Sequence, residues 1–299
     1  MAAEQPIKES MPAGYVVPKV WEPKELGGTW GKGNRATAGA RHEEELKVGK
    51  HPIQLYSLGT PNGQKVTMML EELVEAGGEE YDAWKIMITG EQFGSGFTAI
   101  NPNSKIPAMV DHSASPPLRV FESGAILLYL AEKYGKFLPK DLAGRTECLS
   151  WLFWQVGGAP FIGGGFGHFY RYAPMNFEYP IDRYAMETKR QIDVLDKQLE
   201  GCDAMRGSEI MMADFATDPW GRDFICGSEI TIADFATHPW VRCITTGYHA
   251  AEFLQMHTYK NVAAWCARIE ARPACARGLR VNGFNSSDVP ERHSAKDFE

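Results

Sequence analysis

The sequence predicts a two-part chain: an α/β unit in the order β-α-β then β-β-α, followed by an all-helical region. Its 299 residues suit about two domains at roughly 150 residues each. Two alternating segments, Ile53-Gln54-Leu55-Tyr56-Ser57-Leu58 and Tyr81 to Ile88, flank one helical pattern. From Leu142 onward the apolar residues recur almost only at helical spacing.

The first strand runs into Gly59-Thr60-Pro61-Asn62-Gly63, which is dense turn chemistry. Val66, Leu70, Leu73 and Val74 then mark a helix that stops at Gly77-Gly78. A β-α-β order this compact implies a parallel strand pair with a right-handed crossover. After the Asn101-Pro102-Asn103 loop, Ala108-Met109-Val110 and Leu118-Arg119-Val120-Phe121 are close enough to form an antiparallel hairpin. Ser123 is placed to cap a helix carrying Ile126, Leu127, Leu130 and Ala131 on one face. In the second half, Arg183 to Leu199 gives the clearest buried stripe, through Tyr184, Ile192, Leu195 and Leu199.

These patterns divide the chain into an extended arm (1–50), the α/β unit (51–140), the helical domain (141–282) and a polar tail (283–299). The arm is expected to be pinned by Val20, Trp21 and Trp30, and the tail to be loose. Residues 207–223 and 227–243 match at 12 of 17 positions, a duplicated segment rather than a solenoid. The second copy has Thr231 and Asp234 as a capping box with Ile230 and Phe235 as a hydrophobic staple; the first has Met211 at the cap. The second copy should therefore be the embedded helix start. The first reads as an inserted surface excursion, so a chain lacking 203–222 should still fold.

Composition removes several classes of function. With 31 basic and 38 acidic residues the net charge is −7, which argues against nucleic acid as a partner. Six cysteines without a C-x-x-C pair suit reduced core thiols, and no signal peptide is evident, so a cytoplasmic protein is expected. Residues 148–170 carry no formal charge, but their six glycines and Pro160 argue against a membrane span. Phosphate-loop and zinc-helix templates fail at Gly31-Lys32-Gly33, Gly163-Gly164-Gly165 and His42 to Glu45, and no metal site is expected.

The turn at 59–63 carries the most chemistry. A helix starting directly after a strand aims unpaired N–H groups and a positive dipole end at one point. Thr60 can cap there, Pro61 suits the first helical position, and Asn62 can donate hydrogen bonds. An anion such as a thiolate would sit at such a point, although a simple strand–helix turn has the same sequence signs.

The combined pattern resembles the glutathione transferase superfamily, closest to the nu class and related bacterial and fungal disulfide-reducing members. The residues carrying it are Leu55 to Gly63, Gln92-Phe93, Asn101 to Pro107, Phe121 to Gly124, Trp151 to Trp154, Gly163 to Pro174 and Thr231 to Asp234. The duplicated segment departs from that family's pattern. The resemblance implies a thioredoxin-like amino-terminal domain, an all-helical domain, and glutathione as cosubstrate, as two molecules or as the disulfide. It also implies a homodimer acting on a small disulfide or electrophile.

By the same resemblance, Glu122 meets the γ-glutamyl ammonium and Ser123 its carboxylate. Ile106-Pro107 would be cis, leaving the Ile106 backbone to pair with the tripeptide. Gln92, Lys105, Asn34 and Arg183 are further implied contacts, and Thr60 and Asn62 fall to the sulfur as catalytic residues.

Lowering a thiol from about 8.5 to ~6.5 needs roughly 2.7 kcal/mol of preference for the anion. A helix end gives ~0.3–1 kcal/mol, so one or two charge-assisted hydrogen bonds of ~1.5–3 kcal/mol must supply the rest. No cysteine stands at this turn, so disulfide exchange must use glutathione's own sulfur. Disulfide reduction is the expected activity; electrophile conjugation and non-catalytic glutathione-binding regulation are the alternatives. The 11 aromatics of 151–184 suit either a second-substrate wall, with Gln155, Phe166, His168, Tyr170 and Tyr172 as candidates, or tight helix packing.

Overall fold

Residues 15–23, 35–200 and 222–299 are described in the computed structural model of the chain. Asn34, Trp30 and nearly all of the first repeat copy, with the excursion expected there, lie outside them.

The α/β unit comprises β1 (Ile53–Ser57), α1 (Pro61–Glu75), β2 (Tyr81–Lys85), α2 (Ser95–Ile100), β3 (Ala108–Asp111), β4 (Leu118–Phe121) and α3 (Ser123–Tyr134). The sheet order is β2-β1-β3-β4, with β1 and β2 parallel and the other neighbours antiparallel. The expected crossover and hairpin are both present. A short 3₁₀ turn (Glu91–Phe93) and α2 are additions, placed where only a loop had been expected.

Every residue of β1 is buried, because both faces of the sheet are covered. Ile53 and Leu55 join the main core with Val66 and Leu70 of α1. Tyr56 points the other way, into a second cluster with Phe97 of α2 and Ile86, roofed by Leu46 of the arm. The arm is held by its last residues: Ser95 and Gly96 N–H donate to the His42 and Glu44 carbonyls, and the Tyr56 hydroxyl to the Lys47 carbonyl. The expected pins at Val20 and Trp21 are instead exposed.

The tail also departs from expectation, because a buried cation holds it. Arg292 is fully buried; its Nε donates to Glu71 Oε1 (2.9 Å) and its Nη1 to the Tyr81 carbonyl (2.9 Å). Backbone bonds in both directions between Ala83 and Arg292 add the tail to the open edge of β2. Polar composition had suggested looseness; burial of an ion pair overrides it.

The helical region comprises α4 (Leu142–Pro160), a π-helix (Phe161–Tyr172), α5 (Glu178–Leu199), α6 (Ile232–Thr246), α7 (Lys260–Glu270) and α8 (Pro273–Gly278). No helix of the described residues is long and apolar enough to cross a membrane. The second repeat copy is embedded as expected, with Ile232 to Pro239 all buried. Asp234 does more than cap. Its carboxylate accepts from Thr231 N and Oγ1, and also from Ile225 N and Trp265 Nε1, each at 2.9 Å. Gly163 and Gly165 of the π-helix are packing devices: a Cβ on Gly163 would lie 2.4 Å from the Trp240 ring, and one on Gly165 2.4 Å from Tyr184.

Candidate active site at the amino end of α1

Strand register brings the site together. Tyr56 pairs with Ala108, which pairs with Phe121, so the next residues of each strand share one end of the sheet. Those residues are the turn Leu58–Thr60, the Ile106–Pro107 step and Glu122–Ser123. Residues remote in sequence thus meet because β1 leaves the sheet where β3 enters it.

Thr60 occupies the N-cap position in an extended conformation, and Pro61 is the first helical residue. The expected side-chain cap is not formed: the Thr60 hydroxyl makes only a long 3.5 Å contact to the Leu58 carbonyl. That contact is at the limit of a hydrogen bond, which leaves the hydroxyl free to donate elsewhere. Gly63 is required by the turn itself, since a Cβ there would lie 2.0 Å from the Leu58 oxygen. Asn62 Oδ1 accepts a 2.9 Å hydrogen bond from Trp240 Nε1 of α6.

The Ile106–Pro107 bond is cis, and no backbone hydrogen bond to Ile106 is formed by the described residues. Asn101 shapes the loop before it: its Nδ2 donates to the Lys105 carbonyl (2.6 Å) and its Oδ1 accepts from Asn103 N (2.9 Å). Desolvation first, then the like charge of Arg41, hold the Lys105 ammonium below the ordinary lysine value, although much of that side chain is exposed.

Glu122, not Ser123, is the N-cap residue of α3, which corrects the expected cap by one position. Its backbone φ is +71°, a conformation few non-glycine residues adopt, and Asn103 Nδ2 donates to its Oε1 at 3.1 Å. Ser123 is buried as the first helical residue. Gln92 is buried as well: its Nε2 donates to the Ile88 carbonyl (2.8 Å), while its Oε1 has no partner among the described residues. Orphaned buried acceptors are uncommon.

Arg183 stands apart. It is exposed on α5, within electrostatic reach of Glu187, and no hydrogen bond ties it to the other candidate residues. Asn34 cannot be located among the described residues.

Sequence reasoning missed Lys65. It is buried within α1; its Nζ donates to Gln155 Oε1 of α4 (2.7 Å) and Ser123 Oγ (3.3 Å). Burial lowers its pKa to about 7, against which the charge of Glu122 acts only partly. The signal was present: Lys65 precedes Met68 and Met69 by three and four residues, on the apolar stripe of the helix. Gln155, singled out for its aromatic surroundings, serves this lysine instead. Phe166 is fully buried and stacked on Tyr170 (4.9 Å), so that part of the aromatic segment is packing rather than a wall.

Two open cavities lie elsewhere. One of about 640 Å³ runs between Glu72, the Phe137–Pro139 connector and Arg272; another of about 360 Å³ lies under Glu44–Lys47 beside Trp84. Neither is lined by Thr60, Asn62, Ile106 or Glu122, so convergent polar groups rather than cavity volume identify the site.

Residues 51–132 match the Glutathione S-transferase, N-terminal domain family. The disulfide-bond oxidoreductase YghU of Escherichia coli K12 is 54% identical over 292 residues, 95% of each chain. YfcG of the same organism, also a disulfide-bond oxidoreductase, is 41% identical over 76% of this chain and 94% of its own. A crystal structure of the Streptococcus pneumoniae YghU glutathione transferase complexed with glutathione superposes with a TM-score of 0.81 at 48% identity, covering 91% of this chain and 99% of that one. A Pseudomonas putida glutathione transferase with one glutathione disulfide bound per subunit gives 0.67 at 38%, covering 79% and 94%.

Proposed function

The chain belongs to the glutathione transferase family, and on that footing we propose that it reduces disulfides with the thiolate of bound glutathione. The observation that carries this is the amino end of α1: Thr60 and Asn62 offer two side-chain donors, and no cysteine stands at the turn. A thiolate held there is stabilised by both donors and the helix end together. It attacks one sulfur of a disulfide in line; a glutathionyl mixed disulfide forms and the other sulfur leaves as thiolate. A second glutathione then attacks the mixed disulfide, giving glutathione disulfide and the second reduced thiol, and protons from water balance the leaving thiolates.

The rest of the tripeptide is read along the same edge. Glu122 takes the γ-glutamyl ammonium, and Ser123, backed by the Lys65 ammonium, takes the adjacent carboxylate. The Ile106 backbone pairs with the peptide as an added strand. Gln92, with its unpaired Oε1, and Lys105 receive remaining polar groups. Arg183 and Asn34 are assigned to the second glutathione or the disulfide partner.

We place the enzyme in the cytoplasm, where its five described free cysteines would stay reduced. We also read it as a homodimer, since Leu142 and Phe153 of α4 and Tyr179 and Met186 of α5 remain exposed at 66–82%. Light scattering at micromolar chain concentration tests the dimer.

The decisive assay compares glutathione-driven reduction of 2-hydroxyethyl disulfide with conjugation of chloro-dinitrobenzene. Thr60→Ala should cut disulfide reduction by about tenfold or more, the loss of one charge-assisted hydrogen bond, while glutathione affinity changes little. An unchanged rate removes Thr60 from the reaction, and conjugation as the faster activity replaces the reductase reading.

A further inference from the structure

We propose that Trp240 is a positioning residue for the Asn62 amide, fixing which of its ends faces the bound sulfur; this rests on the reading of Asn62 as a thiolate donor. An indole N–H is a donor only. Its 2.9 Å contact to Asn62 must therefore be made to the oxygen, and the usual uncertainty between amide oxygen and nitrogen does not arise. With Oδ1 occupied by α6, the Nδ2 group is left to donate, and no described residue takes it up. A flipped amide would present oxygen to a thiolate, turning attraction into repulsion.

Trp240 is itself held from behind. Its ring lies against Gly163 of the π-helix, where a Cβ would come within 2.4 Å of the indole carbon Cη2. The chain of contact therefore runs Gly163–Trp240–Asn62, from the glycine cluster to the turn. The Pro-Trp pair of the duplicated segment gains a task in its second copy, at Pro239-Trp240, inside an otherwise buried stretch of α6. Local sequence does not betray the link, because 178 residues separate donor and acceptor.

The test titrates the ultraviolet thiolate band of bound glutathione in the full-length enzyme, alongside kcat and KM for disulfide reduction. Trp240→Phe should raise the bound thiol pKa by about half a unit or more and lower kcat about three- to tenfold at neutral pH. KM for glutathione should stay within about twofold. Asn62→Ala should raise the pKa at least as far, and the double variant no further than Asn62→Ala alone. Should Trp240→Phe fail to fold, Gly163→Ala pushes against the indole while leaving Trp240 and Asn62 themselves unsubstituted, and should shift the pKa the same way. A normal pKa in the Trp240 or Gly163 variant, with Asn62→Ala shifted, overturns the positioning role. A normal pKa in Asn62→Ala overturns the reading on which it rests.

Discussion

At its amino end, α1 presents Thr60 without a formed cap, Asn62 with an Nδ2 that no described residue takes up, and the first helical N–H groups without internal acceptors. Along its later turns the same helix carries Glu71 and Glu72 in a saturated charge network. Glu71 accepts from Arg292 Nε (2.9 Å), Arg277 Nε (3.0 Å) and the Tyr81 hydroxyl (2.9 Å), and Glu72 takes a bidentate Arg272 (2.7 Å each). Along these later turns the buried charges are set against opposite charges, because an unpaired one costs several kcal/mol. At the amino end of α1, where the proposal places the ligand, donors are left with capacity. Lys65 lies between the two regimes: buried, hydrogen-bonded to neutral groups, and paired with no carboxylate among the described residues.

Three single substitutions, one of them also in a double variant, test that contrast. The largest effect is expected from Arg292→Met, which strips Glu71 of a buried partner and frees the tail from β2. Stability should fall by about 3–5 kcal/mol in a urea midpoint measurement. Adding Glu71→Leu should recover part of the loss, and a loss below about 1 kcal/mol would mean that the tail is not held by this pair.

Next comes Glu122→Gln, which keeps the shape of the side chain and removes its charge. Glutathione affinity measured by calorimetry should drop about 10- to 100-fold with stability nearly unchanged, as one charged hydrogen bond is lost. Unchanged affinity would confine Glu122 to helix geometry.

The smallest effect is expected from Lys65→Met. Between pH 7 and the ordinary lysine value of 10.5 the unfolded chain binds more protons at this site than the folded one. Stability therefore rises with pH across that window and is least below it. Lys65→Met should remove that slope and raise stability at pH 7 by about 1 kcal/mol, while weakening glutathione binding severalfold. A variant less stable at pH 7 than the parent would show that the lysine's hydrogen bonds outweigh its desolvation.

Much of the fold was legible in the sequence. Alternation marks β1, the closeness of two short strands marks the β3–β4 hairpin, turn residues bracket α1, and the Thr231–Asp234 box marks the start of α6. The site was partly legible: Thr60, Asn62, Ile106, Glu122 and Ser123 were found as motif residues, and register explains why they meet. What stayed hidden has one common form. Lys65 shows only its place on the apolar stripe of α1, Arg292 resembles any tail arginine, and Trp240 any core aromatic, because their roles depend on partners more than 50 residues away.

The sequence by itself determined the order of elements, the cysteine-free turn and the two donors at its helix start, since these follow from short-range periodicity and side-chain chemistry. Tertiary structure alone decided the rest: which end of the Asn62 amide is free, which lysine lies under Ser123, and whether the polar tail is loose. Those are questions of burial and of long-range hydrogen-bond direction, and neither quantity exists until distant segments have packed.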